Sequence, residues 1–302
     1  MSVSVVGSIA LDSVKTPLEE HRDLLGGSAS YAAVAAGFFT EVNLVGIVGS
    51  DFPRAYLELF RRHGVNLDGL EIAHGKTFRW AGEYEWDMNN RRTISTELNV
   101  FEGFRPTLPL GYRRTPYVFL ANIAPQLQLH VLGQLERPRF VVADTMDLWI
   151  ETAREPLMEL LGKIDCLVMN ESEARQLTRQ TNLIKAGRMA LGWGPRYVVI
   201  KKGEHGCLLF GERQIFSAPA YPLEDIHDPT GAGDCFAGGF IGYLASVGRV
   251  DTDTLRNAVI YGSVIASFNV EAFSLGRLQT LTRQEIAQRY AFFRAMSQFV
   301  AG

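Results

Sequence analysis

Nowhere in the 302 residues does an apolar run reach the ~18–20 residues of a membrane-spanning helix, so no membrane partner is expected. The amino end, MSVSVVGSIALD, has no basic stretch ahead of its apolar residues and passes straight into a strand pattern, so no signal peptide is expected either. Cysteine is scarce: Cys166, Cys207 and Cys235 are widely spaced, odd in number and free of any CxxC pattern. Core thiols in a reducing cytoplasm fit that usage better than a disulfide framework. An excess of one charge is lacking too. A net charge of −3 and a pI near 6.1 leave no electrostatic footprint for nucleic acid, and the arginine pairs at 61–62, 91–92 and 113–114 read as solvated faces.

Familiar catalytic signatures are also missing. There is no GxxxxGK[ST], hence no phosphate loop of the P-loop type, and no HExxH of the common zinc proteases. GGSAS at 26–30 is not GxSxG, so a nucleophile elbow is unsupported. GAGDCF begins like GxGxxG, but Phe236 takes the third glycine's place, and the run lies late in the chain rather than after the first strand. A dinucleotide site is therefore not expected.

What is present is ordinary globular material, 47% apolar and 21% charged, with short β-branched runs alternating with helical patterns. SVSVVGSI reads as a strand, SYAAVAAGFF as a small-residue helix, VNLVGIVG as a buried strand and RAYLELFRRHG as an amphipathic helix. The alternation resumes at YVFLANI, RFVVADT, CLVMN, RYVVIKKG and GCLLF. Strands this apolar, spaced by helices, predict a parallel sheet covered on both faces, an α/β fold. No linker or repeat divides the chain, so one domain over 1–302 is expected, with a β-lid inserted around 76–100. In that insertion FRWAGEYEW places Phe78, Trp80, Tyr84 and Trp86 on one face, and after DMNNRR the residues Ile94, Leu98 and Val100 continue with period two. This predicts an antiparallel hairpin with an aromatic face, a lid over a cleft or a homodimer contact.

The stretch DPTGAGDCFAGGF at 228–240 is rich in glycine and carries two aspartates. Behind it, Phe236, Phe240 and Leu244 at i, i+4 and i+8 predict a helix with one buried face. Gly231, Ala232 and Gly233 then lie at its amino end, where unpaired N–H groups and the dipole favour an anion. Asp234 beside such an anion is either a capping residue or a base that takes the proton from a hydroxyl attacking a phosphate.

DPTGAGD closely resembles the D-[TP]-[TV]-G-A-G-D signature of the ribokinase-like, PfkB carbohydrate kinases. GSIALD at 7–12, GGSASYAA at 26–33, NESE at 170–173 and KGEHG at 202–206 resemble further landmarks of that family in the right order. The resemblance implies a ribokinase-like fold and ATP-dependent phosphorylation of a hydroxyl on a sugar, polyol or nucleoside. It implies Asp234 as general base, with Gly231, Ala232 and Gly233 forming an anion hole. Asn170 and Glu173 would organise Mg²⁺ and its waters, and would also suit a helix-capping pair. Asp228 and Thr230 match positions that hold a monovalent cation such as K⁺ in some relatives. Lys202, Gly203, Gly206 and Asn269 fall near the nucleotide, and Asp12, Gly26 and Gly27 at hydroxyl-binding positions. Tyr31 stands where relatives often carry asparagine, which would put an aromatic face beside the acceptor. Asn122 and Asp144 end predicted strands, where ligands of parallel sheets bind.

Overall fold

The structure, a computed structural model, describes residues 1–298. The strands, in chain order, are β1 (Val3–Val6), β2 (Ala10–Lys15), β3 (Glu20–Gly26), β4 (Val42–Gly49), β5 (Val65–Ala73), β6 (Phe78–Tyr84) and β7 (Arg91–Glu97). They continue as β8 (Tyr117–Leu120), β9 (Phe140–Asp144), β10 (Cys166–Asn170), β11 (Tyr197–Lys201), β12 (Cys207–Gly211) and β13 (Gln214–Ala218). A nine-stranded sheet has the order β13-β12-β11-β10-β9-β8-β1-β4-β5, and a four-stranded sheet the order β3-β2-β6-β7.

The large sheet is parallel from β11 to β5 and ends in two antiparallel strands, β12 and β13. Its central strands are buried on both sides, as Tyr117–Leu120 and Phe140–Asp144 show throughout their lengths. One apolar cluster packs the helices Ser28–Gly37, Ala232–Val247 and Thr252–Asn269 onto one face, and a second cluster covers the other. Helix Ser28–Gly37 reads as nearly all small residues because it lies close against Ala232–Val247, with Ala32 and Ala36 facing Gly238 and Gly242. Among the described residues no helix is long and apolar enough to cross a membrane.

The small sheet corrects the expected lid in three ways. It is mixed rather than antiparallel, because β2 pairs with β6 in parallel while β3 and β7 are antiparallel to their neighbours. Half of it comes from the amino-terminal strands β2 and β3, whose short, polar-edged runs carry no clear period. The first core strand also stops at Val6, so Asp12 belongs to the lid rather than to the end of β1. Finally, β7 ends at Glu97, and Leu98 and Val100 fall at a 3₁₀ turn over Asn99–Gly103 rather than on the strand. A register shift skips Ile94, which leaves the period-two pattern there and stays exposed. Trp86 lies beyond β6 and is 89% exposed, so only Phe78, Trp80 and Tyr84 act as a face of that strand.

Candidate active site

The carboxyl ends of three neighbouring strands converge with the amino end of helix Ala232–Val247. Asp144 ends β9, Asn170 ends β10, and Lys201 ends β11 opposite Asn170. Gly231 caps the helix with φ of 76°, a left-handed conformation that suits glycine. A side chain there would also collide with the Tyr31 ring, 2.4 Å from where the Cβ would lie. The Ala232 N–H donates to the Pro229 carbonyl at 3.2 Å, and the bare turn leaves the Gly233 N–H uncovered beside half-buried Asp234.

Asp234 is raised to about 7, first by burial and then by the charge of Asp144, while Lys201 and Arg91 pull the other way. That value suits a base working near neutrality. Lys201 lies 3.4 Å from Asp144 Oδ2, and its Nζ is 2.8 Å from the position a Cβ on Gly233 would take. It was not singled out from the sequence, which pointed to Lys202 instead. β11 ends at Lys201, which lines the cavity, whereas Lys202 lies beyond the strand and is not part of that wall. The carboxyl-end rule that flagged Asp144 could have found it.

Asn170 and Glu173 form a reciprocal capping box. Asn170 Oδ1 accepts from the Glu173 N–H at 2.8 Å, and Glu173 Oε2 accepts from the Asn170 N–H at 2.7 Å. Burial, followed by the Asp144 charge, lifts Glu173 to about 8. The charges of Asp144, Glu173 and Asp234 all act on Lys201, Asp144 alone coming within 4 Å of its ammonium among the described residues, and a further cation would relieve their mutual repulsion. Among the described residues no three carboxylate, histidine or cysteine side chains come together closely enough to enclose a metal. The donor set fits Mg²⁺ held through water and phosphate oxygens, and does not fit an all-protein cage.

Asp12 faces Asp234 from the lid. It is buried, its Oδ1 has no hydrogen-bond partner, and burial raises it to about 7 against the opposing effect of the Gly27 N–H. Gly26 makes room for it, since a Cβ there would sit 1.9 Å from the carboxylate. Gly26 and Gly27 therefore seat Asp12. A second cation is Arg91, exposed on β7 as the arginine-pair reading expected, yet with neighbours in the site. Arg92 does face outward, to Glu83 at 2.9 Å, but Arg91 opposes Tyr84 across the hairpin and lies over the Trp80 ring at 5.4 Å. Its charge lowers both Asp12 and Asp234. Buried Tyr84 joins the lid to the loop, since Thr230 Oγ1 donates to its hydroxyl oxygen at 3.1 Å.

Four expected contacts are differently employed. Tyr31 is 2% exposed beneath Gly231 and has no free face for a ligand. Asn269 is fully buried, donates to the Thr230 carbonyl at 2.9 Å and does not line the pocket. Asp228 accepts from the Thr230 N–H at 2.9 Å and the Ser274 N–H at 3.1 Å, bonds that shape the loop. Asn122 is half-buried and accepts from Trp149 Nε1 at 2.8 Å.

On the far side of Gly233 opens a cavity of about 370 Å³. Lys201, Gly203, Gly206, Tyr221, Ala232 and Phe236 belong to its wall, and Met88 and Asn89 of the lid turn complete it. Asn89 Oδ1 comes within 3.5 Å of the Cβ position of Gly203. The cavity has apolar sides for a flat ring and a polar end at the helix terminus for an anion.

Comparison with known proteins agrees with this layout. Residues 139–280 match the model of the pfkB family carbohydrate kinases. A cytidine kinase of Thermococcus kodakarensis is 30% identical over 247 residues, covering 80% of this chain and 87% of that one. The nucleoside kinase of Methanocaldococcus jannaschii has the same fold, with a TM-score of 0.77, 21% identity, and coverage of 96% of this chain and 98% of that one. So does an Escherichia coli protein solved under the provisional name ribokinase II with ATP and Mg²⁺, with a TM-score of 0.78, 16% identity and coverage of 97% and 99%. Relatedness along most of the chain leads to one assignment: the chain belongs to the PfkB family of carbohydrate kinases, phosphotransferases that act on an alcohol group.

Proposed function

We propose that this kinase moves the γ-phosphoryl group of ATP to a hydroxyl on the ribose of a nucleoside. The observation that carries the acceptor class is the likeness to the cytidine kinase across most of both chains. Of the acceptors that the sequence resemblance implies, a sugar or polyol first and a nucleoside as the alternative, it favours the nucleoside. In this reading the nucleotide occupies the cavity beside Gly233, with its phosphates at the helix end. The unpartnered oxygen of Asp12 receives an acceptor hydroxyl, and Asp234 accepts the proton of the attacking hydroxyl. The N–H groups behind Gly231, Ala232 and Gly233 stabilise charge on the group in transfer. Mg²⁺ held through water by Asn170 and Glu173 would neutralise phosphate charge. Tyr84 and Arg91 tie lid closure to this site, which keeps water from competing with the acceptor.

The direct test is ADP release with cytidine, uridine, adenosine, inosine, ribose and myo-inositol. A nucleoside should exceed ribose in kcat/KM by about tenfold or more, the worth of one well-filled pocket. Faster turnover of ribose or inositol would overturn the nucleoside assignment.

Glu173→Gln tests the metal-side role. Glutamine keeps an oxygen for the Asn170 N–H, so the helix start and the melting temperature should hold. The Mg²⁺ concentration at half-maximal rate should rise several-fold, with nucleotide affinity in EDTA nearly unchanged. A rate reduced equally at every Mg²⁺ concentration would leave Glu173 as a cap alone.

A further inference from the structure

We propose that Lys201 is a catalytic residue of this kinase, its ammonium oriented by Asp144 to bind the phosphoryl group while that group passes from ATP to the acceptor. This rests on the phosphotransfer reading above and adds a residue to it.

Three observations carry the inference. The first is place. Lys201 Nζ sits 2.8 Å from the Cβ position of Gly233, so the missing side chain that opens the helix N–H groups to a phosphate opens the same space to the ammonium. The lysine also lines the nucleotide cavity, and its side chain is only 17% exposed. The second is an unfinished pairing. Among the described residues Lys201 Nζ has one hydrogen-bond partner, Asp144 Oδ2, at 3.4 Å. That exceeds the ~2.7–2.9 Å of a committed charge-assisted bond, and an ammonium has three N–H groups to give. Asp144 in turn accepts from the Thr145 N–H at 2.9 Å, which anchors it as the orienting group. The third is register. Lys201 pairs with Asn170 across β10 and β11, which puts it at the same strand ends as Asp144 and the Asn170–Glu173 pair.

The step balances without it changing protonation. The acceptor oxygen loses its proton to Asp234 and bonds to phosphorus as the bond from phosphorus to the bridging oxygen breaks, and ADP leaves with that electron pair. The three non-bridging oxygens carry negative charge throughout, held by helix N–H groups on one side and by Lys201 on the other.

The test uses Lys201→Ala and Lys201→Met on the full chain, with wild-type turnover on its best acceptor as reference. Both variants should lose about 10²–10³-fold in kcat, the worth of one preorganised donor to the transition state. ATP Kd should move by only a few-fold, and Lys201→Arg should keep part of the lost rate. In Lys201→Ala, propylammonium should restore activity saturably while tetramethylammonium, which has no N–H to donate, should not. If the alanine variant does not fold, Lys201→Met decides on kcat against Kd. A kcat within fivefold of wild type, or a loss that appears wholly in ATP Kd, would overturn the inference. So would a folded alanine variant that propylammonium leaves inactive. Absence of turnover by the wild-type chain with every acceptor would instead count against the underlying function.

Discussion

Asp234→Asn should lower kcat by about 10²–10⁴-fold, the usual worth of a general base, or about 3–5 kcal/mol of barrier at 1.36 kcal/mol per decade. The substitution keeps the side chain's shape in the first turn of Ala232–Val247, where Asp234 makes no capping bond that could be lost. Melting temperature should therefore change little. ATP should bind at least as tightly, since a negative charge beside the phosphates is gone. The pH profile gives an independent reading. Asp234 lies near 7, and the base acts when deprotonated, so kcat/KM of the wild type should fall about tenfold per pH unit below that value and level off above it. Asp234→Asn should lose that acid limb along with its rate. A variant within a few-fold of wild type would leave Asp234 without a role as base and remove the main support for the mechanism.

Asp12→Asn should push binding and stability in opposite directions. The carboxylate offers an unpartnered oxygen to the acceptor, and a hydrogen bond to a charged group contributes about 1.5–3 kcal/mol, so kcat/KM should drop by roughly 10–150-fold. The folded chain holds that aspartate at a cost. An unfolded chain releases its proton near 3.8 and the folded one near 7, so stability falls as pH rises between those values and is level above them. The full difference is an upper bound of about 4 kcal/mol. Asparagine cannot ionise, so the variant's advantage in melting temperature should be near zero below pH 4, grow through pH 5 and 6, and plateau above 7. Scans of both proteins at pH 4, 6 and 8 measure it. An equal difference at every pH would mean that Asp12 is not the titrating group.

By itself the sequence determined the layers of this protein and the bare turn at its helix end. VNLVGIVG and CLVMN are strands with the expected bounds, because uninterrupted β-branched runs have one way to be buried. The DPTGAGD loop was legible for a local reason: a bare turn, a helix start and a carboxylate are neighbours in the chain, and their joint chemistry needs no distant partner. The NESE run was legible in the same way, as a cap whose members are three residues apart. Tertiary structure decided what depends on separated segments. Tyr31 reads as an aromatic face, yet it is buried because Gly231, two hundred residues later, leaves room for its ring. Asn269 reads as a nucleotide contact but is used by the Thr230 carbonyl beneath the loop. Arg91 and Arg92 are chemically identical on paper, and only the hairpin register sets one opposite Tyr84 and the other opposite Glu83. Lys201 and Lys202 are divided by where β11 ends, which leaves Lys201 on the cavity wall and Lys202 past the strand. Which charges end up sharing a low-dielectric space is a property of packing, and so the cations of this site emerged only with the fold.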